Sequence, residues 1–136
     1  MKSWLLWSVL ALISWGFWGL FPKFATNYVS PRSALFWEIL GGGIASTCWI
    51  VTQRGWPEVE PRGILFGAMA GMLALIGAWC YTQACAYGNI SRVVTVTALY
   101  PVITVLLAAL VLKEPLGPRQ VLGLLFAIVA IILAAT

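Results

Sequence analysis

Five long stretches of this chain carry almost no charge, and that pattern decides what the chain can fold into. The charged side chains gather in the short polar segments between them, as in Arg54 to Arg62 and Lys113 to Arg119. The uncharged runs fall at about 4–22, 33–53, 63–87, 93–112 and 120–135. A helix needs about 20 apolar residues to cross a bilayer, and each run is near that length. Transmembrane strands would alternate apolar and polar side chains over roughly ten residues, whereas these blocks are continuous. The expectation is an all-α integral membrane protein with five transmembrane helices in one domain over residues 1–136.

Composition removes the alternatives. The chain is 62% hydrophobic and 9% charged, against about half and one quarter in a soluble domain. A water-facing fold this short has nowhere to hide that surface. The net charge of +4 is spread singly rather than clustered, which suits loops on anionic lipid headgroups and not a nucleic-acid surface. There is no His, and Cys48, Cys80 and Cys85 all fall inside apolar runs. Three cysteines without paired spacing make neither a disulfide framework nor a metal site, so they read as small packing residues. No nucleophile–base pair is visible, so no catalytic residue, cofactor or metal is expected. The first run has four Trp and no small-residue cleavage site, and reads as a retained span rather than a signal peptide.

Five is odd, so the two ends of the chain are expected on opposite faces of the bilayer. The face of the first residue collects Lys2, Arg54, Arg62, Lys113 and Arg119; the other collects Lys23, Arg32 and Arg92. The positive-inside rule then favours the first face in the cytoplasm by a margin of two. Gly63, Gly67 and Gly71 recur every four residues on the third span, the small-residue spacing that lets helix backbones approach in lipid. Ala127 and Ala130 offer the same on the fifth span, and Trp4 and Trp56 read as interfacial anchors.

The stretch from Tyr81 to Ala134 is more specific. It has an Ala and an aromatic before a small polar turn at Gly88-Asn89, Pro101 in mid-span, and Leu112-Lys113-Glu114-Pro115-Leu116 closing the fourth run. Gly123 opens the fifth. Together with Ser14-Trp15-Gly16, Lys23 and Pro31 near the start, this order closely resembles the EamA-type module of the drug/metabolite transporter superfamily. The resemblance implies a five-helix half-transporter, one half of an inverted-repeat fold. It also implies a small-molecule substrate and pairing of two modules, here as a homodimer that is parallel or antiparallel. Short loops suggest a bacterial inner membrane. At Glu38, seven residues after Pro31, that pattern often carries an arginine, so an anion-handling role does not transfer.

Glu38 is the one ionisable residue well inside an apolar run. Holding a charge there costs on the order of 2.5–3.5 kcal/mol on insertion scales. One reading is a carboxylate that binds a cationic substrate or a proton and exchanges one for the other. The other is an ion pair with Lys23 or Arg92, which are assigned to the same face. Trp15, Trp18 and Trp37 are candidates for an aromatic wall around a cation, or else bulky packing. Tyr81, Gln83, Thr95, Thr97 and Tyr100 are the polar groups of the third and fourth spans, lining a cavity or bonding between helices. Pro101 should kink the fourth span and is the candidate hinge. The reading is a small-molecule carrier working by alternating access, exporting a cationic or neutral metabolite with proton coupling as one hypothesis. The alternative is a non-transporting helical subunit or lipid-associated partner of another membrane complex.

Overall fold

The computed structural model describes residues 3–53 and 57–135. Lys2, Arg54 and the proposed anchor Trp56 lie outside them. Seven helices follow in order: α1 (Ser3–Trp18), α2 (Phe21–Thr26), α3 (Pro31–Thr52), α4 (Pro61–Tyr87), α5 (Ile90–Thr97), α6 (Tyr100–Val111) and α7 (Pro118–Ala135). There is no strand among the described residues. Four segments, Trp4–Thr26, Pro31–Thr52, Pro61–Tyr87 and Ile90–Val111, are long and apolar enough to cross a bilayer, and Pro118–Leu133 is a shorter apolar helix. The protein is an all-α integral membrane protein of five membrane helices, two of them broken.

The first break lies at Gly19 and Leu20. The Gly19 amide still reaches the Trp15 carbonyl at 2.9 Å, but the Leu20 amide reaches only Phe17 at 3.1 Å, the tightened turn of a helix end. Pro22 brings no N–H to donate to the Trp18 carbonyl. Yet proline fits the first turn of a new helix, so the chain re-forms as α2. From sequence the first span ends at about Pro22 with Lys23 beyond it; the structure puts Lys23 inside α2. The second break, at Ala98 and Leu99, has the same cause, with Pro101 in the first turn of α6. Thr95 and Thr97, expected from sequence to line a cavity or to bond between helices, make their hydrogen bonds within α5. Their hydroxyls donate to Ser91 and Val93 carbonyls of their own helix at 2.7 and 2.9 Å.

Local capping fixes the other ends. Ser30 accepts from the Ser33 amide ahead of α3, and Asn89 accepts from the Ser91 amide ahead of α5. After α6 the chain turns through Lys113 in the left-handed region (φ 55°).

The chain divides into two compact units, Met1–Tyr87 and Gly88–Thr136. In the second, α5 packs on α7. In the first, α2 lies against both α3 and α4, which also meet each other. The buried side chains there are Pro22, Ala34, Tyr81, Thr82 and Cys85. All belong to α2, the start of α3 or the end of α4, so the packed core sits at one end of these helices. Along the rest, large apolar side chains such as Leu12, Ile50 and Phe66 are exposed, as lipid-facing surface requires. The Gly63, Gly67 and Gly71 stripe belongs to that open surface: a Cβ at Gly67 or Gly71 would meet nothing within 4 Å. The close approach falls instead at Gly19, where a Cβ would lie 3.3 Å from the Tyr81 hydroxyl. Of the three cysteines, only Cys85 packs; Cys48 and Cys80 are exposed.

Candidate functional site

The helix break and the start of α3 together make a cleft. Its volume is about 340 Å³, and Trp18, Phe21, Pro22, Phe24, Ala25, Tyr28, Ala34, Trp37 and Glu38 line it. A second hollow, about 460 Å³, runs along α3 beside Ile39, Leu40, Gly43, Ile44, Thr47 and Cys48. It is larger but has no charged side chain, so the smaller cleft is the better candidate for polar recognition.

Glu38 enters the cleft from α3, seven residues past Pro31 and so about 10 Å along the helix. It is half-buried, and its Oε1 accepts a hydrogen bond from the Trp18 indole Nε1 at 3.0 Å. That bond links α1 to α3 next to the break. Trp37 precedes Glu38 and stands edge-on to Phe36, with ring centroids 5.3 Å apart. Aromatic faces and one carboxylate around a volume of this size can surround a small organic cation, with the ring quadrupoles and the carboxylate acting in the same sense.

On the other side, Trp18 stacks against Tyr81 of α4, centroids 5.2 Å apart and planes 26° from parallel. The Tyr81 hydroxyl donates to the Gly19 carbonyl at 2.5 Å. Tyr81 is buried and is not part of the cleft wall. Lys23 is half-buried, and its ammonium donates to the Cys85 carbonyl at 2.8 Å. The structure therefore gives Glu38 an indole donor and Lys23 a backbone acceptor. The buried Thr82 hydroxyl has no hydrogen-bond partner among the described residues.

Of the residues singled out from sequence, Trp18, Trp37 and Glu38 come together in the cleft, with Tyr81 behind Trp18. Trp15 is exposed on α1 and Gln83 is half-buried on α4, and neither lines the cleft. Tyr100 and Pro101 belong to the second unit, at the start of α6. The sequence reading did not find Gly19, or Phe21 and Phe24 as cleft wall. Gly19 and Pro22, three residues apart inside an apolar run, were the available sign of a broken helix.

Comparison with known proteins agrees with this architecture. The model of the EamA-like transporter family matches residues 2–136. The chain is 26% identical over 133 residues to an uncharacterized transporter of Synechocystis sp. (strain ATCC 27184 / PCC 6803 / Kazusa). That match covers 94% of this chain but 40% of the relative, so the chain spans two fifths of the length of the curated relative it matches. No solved structure matches. The near-complete family match, together with the apolar helices that carry it, makes this chain a member of the EamA-like transporter family.

Proposed function

We propose that the chain is a transporter module of the drug/metabolite type that carries a small cationic metabolite by alternating access, with the Glu38 cleft as its binding site. The observation that carries this reading is the half-buried Glu38 carboxylate set among Trp18, Trp37, Phe21 and Phe24. A charge kept in an apolar helix at a cost of a few kcal/mol needs a use, and an exchangeable cation or proton supplies one. A neutral metabolite is the weaker fit, because it would leave the carboxylate unanswered. Proton exchange at Glu38 couples uptake to export: the cation leaves as the proton binds. The two proline-marked breaks, at Gly19-Leu20 and Ala98-Leu99, supply the bending points that alternating access needs, with Pro101 as the hinge of the fourth span.

The working unit in this proposal is two five-helix modules, here a homodimer in a bacterial inner membrane. An odd number of spans makes an antiparallel pair an inverted repeat. The margin of two basic residues between the faces leaves room for both orientations. The test is flux through the purified protein in liposomes, over a panel of quaternary ammonium ions, amino acids and neutral metabolites. Saturable uptake of cations that responds to an imposed proton gradient is expected. A helical subunit without transport activity would pass nothing above empty liposomes.

A further inference from the structure

Two hydrogen bonds tie the broken end of the first span to α4, and both end on backbone carbonyls at helix ends. Gly19 lies in the break between α1 and α2, and its carbonyl receives the Tyr81 hydroxyl. Cys85 lies in the last turn of α4, where carbonyls run out of donors from their own helix, and it receives the Lys23 ammonium at 2.8 Å. A cation there also complements the negative end of the helix dipole. The exchange is reciprocal: α4 caps the break, and α2 caps α4. Gly19 is what allows it, since the Tyr81 hydroxyl comes within 3.3 Å of where a Cβ would stand. Beneath this contact the Cys85 side chain is fully buried.

The same residues set the shape of the cleft. Tyr81 stacks on Trp18, which donates to Glu38, and α2 contributes Phe21, Pro22, Phe24 and Ala25 to the wall. Moving α2 away from α4 would break both carbonyl bonds and shift four of the lining residues. We propose that Tyr81 and Lys23 are positioning residues, a two-point latch that holds α2 on α4 and so keeps the cleft wall in place. On this account Tyr81 acts through Trp18 and Gly19 and does not touch the cargo. The effect of the latch on flux rests on the transporter reading above; the latch itself does not.

The buried thiol offers a direct readout. The full chain in liposomes is treated with N-ethylmaleimide, and peptide mass spectrometry follows Cys85 alongside the exposed Cys48 and Cys80. Tyr81→Phe, which keeps the ring stacked on Trp18, and Lys23→Met should each speed labelling of Cys85 several-fold. Rates at Cys48 and Cys80 should stay the same, and Lys23→Arg should restore protection of Cys85. Flux of benzyltrimethylammonium through Tyr81→Phe and through Lys23→Met should change at least threefold in the same sense, because both variants release the same cleft wall. Unchanged Cys85 labelling in both variants would overturn the latch, as would a parallel rise at all three thiols, which signals general unfolding. A change in flux through Tyr81→Phe that Lys23→Met does not share would also overturn it, because Tyr81 would then act on the cargo apart from the latch. If the unaltered protein carries no cation, the transporter reading fails and the labelling still decides the latch.

Discussion

Glu38 and Trp18 meet because one turn of α3 and the last turn of α1 each bring a side chain to the same point beside the break. The indole N–H and the indole face have separate uses there, which substitution can separate. Trp18→Phe keeps an aromatic ring against Tyr81 but removes the donor to Glu38 and weakens the cation–π surface. Apparent affinity for a quaternary ammonium should fall by about 0.5–1.4 kcal/mol, or roughly two- to tenfold, as measured by the concentration dependence of flux. An unchanged half-saturating concentration would remove Trp18 from the site. Thr82 poses a different question, since its hydroxyl is fully buried with no partner among the described residues. Thr82→Val replaces that hydroxyl with a methyl of similar size and should raise thermal stability by about 1–2 kcal/mol. A loss of stability in detergent would instead reveal a partner for the hydroxyl.

At the scale of helices, the breaks matter more than the spans. The five apolar runs were legible because charge is so costly in hydrocarbon that it marks the ends of every run. Glu38, Trp18 and Trp37 were legible as candidates for the same reason, a lone carboxylate among aromatics. Lys23 was not. A lysine at the edge of an apolar run reads as the start of a loop, and only the continuation of α2 after Pro22 brings it back to Cys85. Nor does sequence spacing reveal which glycine is used for packing. Gly63, Gly67 and Gly71 have the spacing of a helix-packing stripe, but Gly67 and Gly71 face open space within the chain, whereas Gly19 meets Tyr81. This gives a paired prediction. Gly19→Leu should cost about 1–3 kcal/mol by overpacking against α4. Gly67→Leu should change the stability of the chain by no more than about 1 kcal/mol. Thermal unfolding in detergent compares the two, and equal losses would contradict the assignment.

For the molecule as a whole, the packed core of the first unit is small and sits at one end, while most of the remaining surface is apolar and exposed. Such a chain owes its persistence to the bilayer, and beside the first helix break Trp18, Lys23 and Tyr81 find hydrogen-bond partners on other helices. The family match makes the chain a member of the EamA-like transporter family, and the proposal adds a cation site at Glu38. Glu38→Gln tests the addition most directly, because it keeps the side-chain volume, keeps an oxygen that accepts from Trp18, and removes the charge. Benzyltrimethylammonium flux and thermal stability are measured together in liposomes, for the unaltered protein, Glu38→Gln and Glu38→Asp. The account predicts a Glu38→Gln protein that stays folded, loses at least tenfold in flux and no longer responds to a proton gradient, with Glu38→Asp partly active. Full flux by a stable Glu38→Gln protein, with its response to the gradient intact, would contradict it.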